Sequence, residues 1–275
     1  MKSLIKKLED NTIELTITIP VAVIKAARAE AIEAFTKEIQ VPGFRKGMAP
    51  KDVVEKRIDP DRLREEILKK LLPRTYVETV KEHAISPIIN PKIHVNKLED
   101  GKDWEYTAIT CEAPKISLNG YKEKIKTLNA KAKIAIPGKE PQTVNFDEVA
   151  KLILETVEMT IPQILVEGEV DRLLSQTLDD VKKLGLTLDQ YLASTKRTVE
   201  QLRAEYAQRA INDLKLEFGL QKIAEEENIT VEEKEIDEAI AKTNNDAERQ
   251  NLQANRHLLA VILRQQKTLD FLRQL

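Results

Sequence analysis

The chain has 275 residues, of which 33% are charged, 41% hydrophobic and only 4% aromatic, a composition that fits a soluble, helix-rich protein of one large or two modest domains. A net charge of −2 excludes a global field toward nucleic acid, so affinity for a polyanion has to come from a local patch. The single cysteine, Cys111, excludes an intramolecular disulfide and a cysteine metal cluster, and it reads as a small hydrophobe in a strand rather than a reactive thiol.

The opening MKSLIKKLEDN lacks the apolar core of a secretory signal. No run of about 18 or more apolar residues occurs, so no membrane span is expected and the default location is cytoplasmic. Residues 12–19, TIELTITI, alternate Ile13, Leu15, Ile17 and Ile19 with polar residues, the mark of a half-buried strand ended by Pro20. Over 21–38, Val23, Ala27, Ala31 and Phe35 recur at spacing four with Ile24 and Ala34 beside them, which predicts an amphipathic helix.

The next stretch, Val41 to Pro50, reads VPGFRKGMAP. Gly43 and Gly47 bracket Phe44, Arg45 and Lys46, while Val41-Pro42 and Pro50 are loop punctuation. Glycine opens backbone angles closed to other residues, so a tight tip is expected, and Pro50 suits the first turn of a following helix, where its missing N–H is no loss. The product is a short loop presenting one ring and two cations. GFRKG followed by a pair ending in proline resembles the ribosome-binding signature of bacterial trigger factor, the chaperone family at the nascent-chain exit. Met48 departs from the pattern, since many members carry a second cation there.

A short helix is predicted from Pro50 to Arg57, with Val53 and Val54 as its apolar side. Another is predicted over 60–82, where Leu63, Ile67, Leu71 and Leu72 face inward and Pro73 should kink or interrupt it. Two prolines break 84–92 into a connector. Ile93–Leu98 and Trp104–Cys111 are candidate strands joined through Glu99-Asp100-Gly101, a hairpin signal. Strand, helices, strand, strand around one core is similar to the N-terminal, ribosome-binding domain of trigger factor over residues 1–113.

Residues 114–145 read as an extended linker, interrupted by Pro114, Gly120, Pro137, Gly138 and Pro141. Lys122, Lys124, Lys126, Lys131 and Lys133 give it a solvated face, and an edge strand around Ile134–Ile136 is allowed. From Phe146 the pattern is helical. Val149, Leu152, Ile153 and Val157 mark a helix over 146–160 that Pro162 stops. Val166, Val170, Leu173, Leu174, Leu178 and Val181 mark another over 163–184, closed by Gly185. A short helix follows at Leu188–Ser194. Thr198 with Gln201 forms a capping-box signal before a long helix carrying Leu202, Tyr206, Ala210, Leu214 and Phe218. Thr230 with Glu233 suggests a second box, and Asp246 can cap a last helix with Leu252, Leu259, Ile262, Leu269 and Leu272 on one side. The run IPQILVEGEVDRLL over 161–174 resembles the entry into the C-terminal helical domain of trigger factor, which in that family forms the arms and body of a cradle for unfolded polypeptide.

Full-length members of that family carry a prolyl-isomerase domain of the FK506-binding type between these parts. Here 34 residues separate Cys111 from Phe146, against the roughly 50 a globular domain needs. Tyr121 is the one aromatic between Pro114 and Asn145, too little for the dry aromatic pocket that twisting a prolyl bond calls for. No catalytic residue is therefore assigned. His83, His94 and His257 are scattered, the pairs Glu65-Glu66 and Glu225-Glu226-Glu227 sit on charged helix faces, and no HExxH, CxxC, P-loop or dinucleotide-binding glycine motif occurs. No metal and no cofactor is expected.

The fold class expected is an α+β N-terminal domain (1–113, a small antiparallel sheet with helices), an extended linker (114–145), and an all-α C-terminal domain of long helices with arm-like extensions (146–275). The resemblance implies a non-enzymatic, ATP-independent chaperone. It would dock beside the exit tunnel of the large ribosomal subunit, on protein and rRNA, and shield nascent or unfolded chains on an apolar surface within 146–275. Docking is assigned to Gly43, Phe44, Arg45, Lys46 and Gly47, with Lys51, Lys56 and Arg57 as secondary basic contacts diluted by Asp52 and Glu55. Self-association off the ribosome is left open by the resemblance. A reading of a different class also stands: a ribosome- or RNA-binding assembly factor in which the helical part is a scaffold.

Overall fold

The computed structural model describes residues 2–40, 44–45, 47–48, 50–132, 145–243 and 245–275. Val41, Pro42, Gly43 and Lys46 of the expected docking stretch lie outside the described residues, as do Lys133, Ile134–Ile136, Pro137, Gly138 and Pro141 of the expected linker. The chain divides into two units, 1–113 and 114–275.

In the first unit, β1 (Lys2–Lys7), β2 (Thr12–Ile19), β3 (Lys92–Lys97) and β4 (Trp104–Cys111) form an antiparallel sheet of order β1-β2-β4-β3. The alternation of β2 sends Ile13, Leu15, Ile17 and Ile19 into the core, and β4 answers with Trp104, Tyr106 and Ala108. That face is covered by α1 (Val21–Glu38), through Ile24, Ala27, Ala31 and Phe35, and by α3 (Pro60–Glu82), through Leu63, Ile67 and Leu71. Between them α2 (Lys51–Glu55) buries Val54 completely. Asp103 Oδ1 accepts from the Val21 N–H at 2.8 Å and takes up one of the free donors at the start of α1.

Two features depart from expectation. Helix α3 runs through Pro73 without interruption. Pro73 and Lys69 are both exposed, and the carbonyl that loses its helical donor therefore belongs to a residue on the solvent side, where the loss costs least. The strand β1 was not foreseen. It is joined to β2 by a tight turn in which the Leu8 N–H donates to the Thr12 carbonyl at 2.8 Å and Asn11 adopts φ +65°.

In the second unit, the extended reading of 114–145 fails over its first half. Residues Ile116–Leu118 are strand β5, and Tyr121–Ala132 form helix α4. Gly120 turns the chain at φ +63°, and Tyr121, Ile125, Leu128 and Asn129 then fall on one side, burying the first two in a core with Val149, Ile153, Leu220, Leu269 and Leu272. Asn129 Nδ2 donates to the Leu272 carbonyl at 3.0 Å, so α4 is bonded to the last helix. Helix α5 (Phe146–Thr156) is shorter than expected, because Val157–Met159 leave it as β6 and pair with β5.

The other helices are α6 (Gln163–Lys183), α7 (Leu188–Thr195), α8 (Val199–Glu226), α9 (Glu233–Ala241), α10 (Asp246–Ala254) and α11 (Arg256–Gln274). Gly185 follows α6 at φ +72°. Thr198 and Gln201 form the expected capping box of α8. The box of α9 is Glu232 with Glu235 in place of Thr230 with Glu233, and Asn245 caps α10 in place of Asp246. Beyond the shared core, α6 and α8 pack through Val166, Val170 and Ala210, while α9 and α11 pack through Ile236, Ile240 and Leu259.

Candidate functional site

The loop between α1 and α2 is held at both ends. Phe35 near the end of α1 is buried beneath the Arg62 guanidinium, which lies 5.3 Å from its ring centre. Val54 and Ile58 root the α2 end in the same core. The chain between them reverses where the Met48 N–H donates to the Arg45 carbonyl at 2.9 Å. Gly47 occupies the third place of that turn at φ +83°, a value that favours glycine because a side chain there would clash with the backbone. An added Cβ would meet no neighbour, so backbone angle and not space explains the glycine.

Phe44 stands on the approach to this turn with 41% of its surface exposed. Arg45 is exposed and unpaired among the described residues, and Met48 is 72% exposed. Ring, cation and thioether are thus all open to solvent around this turn. The structure separates the flanking cations into two kinds. Lys51 bonds Glu33 at 3.3 Å, a carboxylate that Lys37 also approaches at 3.7 Å. The Lys51 hydrogen bond is the main reason that the Glu33 carboxyl titrates below its ordinary range. Lys56 and Arg57 are exposed and form no ion pair among the described residues. Of the two diluting carboxylates, Glu55 is engaged by Arg28 at 2.7 Å.

On the second unit, two aliphatic side chains that helical spacing placed on apolar stripes face solvent. Leu178 and Ile262 are exposed, and with them Leu184, Leu186, Val199 and Leu258, which the spacing had not singled out. Leu184 and Leu186 flank Gly185 in the turn after α6. Between α8 and α11 runs a cleft of about 350 Å³ lined by Leu220, Ala224, Val261 and Thr268, with Glu217 and His257 also on its walls. Desolvation, and then the charge of Glu169, raise the Glu217 carboxyl above its ordinary range.

Groups that could serve chemistry are otherwise committed to structure. Cys111 is buried, and burial pushes its thiol up to about 11, which keeps it protonated and unreactive. Tyr106 hydrogen-bonds Thr75 at 2.7 Å in the core, and burial pushes it up to about 12. His83 lies 2.9 Å from Ser3 Oγ and His94 sits on β3, both in the first unit, while His257 sits on α11 of the second. Among the described residues, no cluster of three metal-ligating side chains occurs and no helix is long and apolar enough to cross a membrane.

The family model described as the bacterial trigger factor protein (TF) matches residues 1–137, and the one described as the bacterial trigger factor protein (TF) C-terminus matches residues 122–274, more than half of the chain. The chain belongs to the bacterial trigger factor family. The trigger factor of Staphylococcus epidermidis is 35% identical over 117 residues, which are 42% of this chain and 27% of that one. That of Natranaerobius thermophilus is 27% identical over 155 residues, 54% of this chain and 35% of the relative. The chain therefore spans roughly a quarter to a third of the length of the curated trigger factors it matches. A solved structure described under promiscuous substrate recognition in folding and assembly activities of the trigger factor chaperone aligns with a TM-score of 0.63 over 98% of this chain and 99% of that one. Its 15% identity makes this a likeness of fold. The N- and C-terminal trigger factor matches overlap at 122–137.

Proposed function

We propose that this trigger factor family member is an ATP-independent chaperone that docks beside the exit tunnel of the large ribosomal subunit and shields nascent or unfolded polypeptide, without prolyl-isomerase activity. The observation that carries this reading is the partly uncovered Phe44 ring, set beside the free Arg45 cation on a loop whose ends are fixed in the core. Phe44 would enter an apolar pocket on the ribosome. Arg45 and Lys46 would meet rRNA phosphate or an acidic side chain, with Arg suited to bidentate pairing. Gly47 supplies the bend. Lys56 and Arg57 add peripheral attraction, and Lys51 adds less because Glu33 already holds it. Contacts to phosphate make docking salt-sensitive.

Clients would lie on the uncovered aliphatics of the second unit, since exposed apolar patches mark interaction sites. Release would need no nucleotide: low affinity and refolding of the client suffice. The test is cosedimentation with ribosomes, together with crosslinking to nascent chains, for the native chain and for the Phe44→Ala/Arg45→Ala/Lys46→Ala variant. Loss of both in the variant is expected. Unchanged cosedimentation would reject the loop assignment, and crosslinks confined to rRNA or ribosomal protein would replace the chaperone with an assembly factor. A proline-limited refolding reaction should run no faster in its presence.

A further inference from the structure

The edge strand β1 has no role in the reading above. Its register with β2 runs over six consecutive pairs, Lys2 with Thr18 through Lys7 with Ile13, without a shift. The opposite edge differs, because β3 breaks register between Val95 and Lys97, and such an irregularity bends an edge away from further pairing. The hydrogen bond from the Leu8 N–H to the Thr12 carbonyl sets the phase of the ladder. In an antiparallel pair, residues alternate between those bonded to the partner and those whose backbone groups point away. Lys2, Leu4 and Lys6 are therefore bonded to β2, and the N–H and C=O groups of Ser3, Ile5 and Lys7 point outward.

Leu4 is 74% exposed on this strand, and its neighbours are cationic. Lys2, Lys6 and Lys7 give three positive charges in six residues. Lys6 reaches Glu14 at 3.4 Å and Lys7 reaches Glu112 at 3.3 Å, both from solvent-exposed side chains, so an incoming carboxylate can compete for them. Edge lysines ordinarily discourage pairing. Against a second copy they do so strongly, since two such edges would bring six lysines onto twelve residues. Against an acidic strand the same charges attract.

We propose that β1 adds an extended, acidic segment of unfolded polypeptide to the sheet as a fifth strand. Backbone bonds to Ser3, Ile5 and Lys7 would supply affinity without sequence demands, the lysines would select carboxylates, and Leu4 would meet an aliphatic side chain of the guest. That the guest is an unfolded client rests on the chaperone reading. The availability of the edge rests on the register alone.

The test measures binding of a fluorescein-labelled peptide alternating glutamate with valine to the full chain, beside a counterpart with lysine for glutamate. Ile5→Pro removes an N–H that β2 does not use, and Ile5→Ala removes the side chain but keeps the N–H. The acidic peptide should bind at least tenfold tighter than the basic one, lose at least tenfold in Ile5→Pro and change less than threefold in Ile5→Ala. Should Ile5→Pro fail to fold, Lys2→Glu/Lys6→Gln should weaken the acidic peptide at least fivefold. Equal binding of the two peptides, undiminished binding in both the Ile5→Pro and the lysine variants, or a concentration-dependent dimer abolished by Ile5→Pro would overturn the proposal. Suppression of aggregation of an unfolded client, measured on the same preparations, keeps the two readings apart. If the native chain suppresses nothing yet binds the acidic peptide through the Ile5 N–H, the chaperone reading falls and the edge stands.

Discussion

Phe44→Ala tests the docking loop most directly, because its magnitude is bounded by the structure. An aromatic side chain buries about 200 Å² when fully enclosed. With 41% of Phe44 exposed, only about 80 Å² is left for the ribosome to cover, worth about 2 kcal/mol at about 25 cal/mol per Å². Removing the ring should therefore weaken binding by about 30-fold. The assay is titration of the labelled chain with ribosomes at fixed salt, below the melting temperature of both proteins, because the covered part of the ring also contributes to the fold. Arg45→Ala, measured in parallel, should lower the slope of log affinity against log salt by about one, as expected for one lost phosphate contact. A Phe44→Ala chain that binds within threefold of the native one would refute the reasoning, whatever the salt dependence shows.

Three further outcomes follow from particular contacts. Lys51→Ala should weaken ribosome binding less than Lys56→Ala/Arg57→Ala, since Glu33 already engages Lys51 at 3.3 Å; the same titration checks it. An Ala Cβ at Gly219 would lie 3.0 Å from Val157 and 3.3 Å from Ile153, both fully buried. Overpacking of about 1–3 kcal/mol should outweigh the gain of about 1 kcal/mol from replacing a helical glycine, so Gly219→Ala should melt lower and Gly219→Val lower still in thermal denaturation. Glu227 accepts from Tyr121 at 2.8 Å and pairs with Lys122 at 2.5 Å, and the Lys122 bond leads in holding its carboxyl below the ordinary range. A depressed carboxyl contributes stability that is present above its unfolded value and lost as pH falls through the folded one. Glu227→Gln should thus cost about 1 kcal/mol at pH 7 and remove part of the loss of stability seen on acidification, read from urea midpoints across pH 7 to 3.

Sequence by itself determined the elements whose pattern follows from their own burial. The strict alternation of Ile13, Leu15, Ile17 and Ile19 can serve only a strand with one buried face, and the structure buries all four. The spacing of Ala27, Ala31 and Phe35, and the box of Thr198 with Gln201, specify helices through contacts within a few residues. The turn at Gly47 was legible for the same reason, since glycine acts locally, and the structure gives it φ +83°. Tertiary structure decided what depends on a distant partner. Lys2–Lys7 carries four polar residues in six and becomes a strand because β2 offers its unpaired edge. Val157–Met159 leaves a helical pattern because β5, nearly 40 residues earlier in the chain, is there to pair with it. Lysines hid α4, although Tyr121, Ile125 and Leu128 have helical spacing; those three side chains gain burial against α5 and α11. Periodicity likewise put Leu178 and Ile262 on apolar stripes without deciding whether they are core, and both are exposed. A helix presents its apolar stripe whether or not a neighbour arrives to cover it, and only the packing of the other helices settles which part of the stripe is core and which is left open.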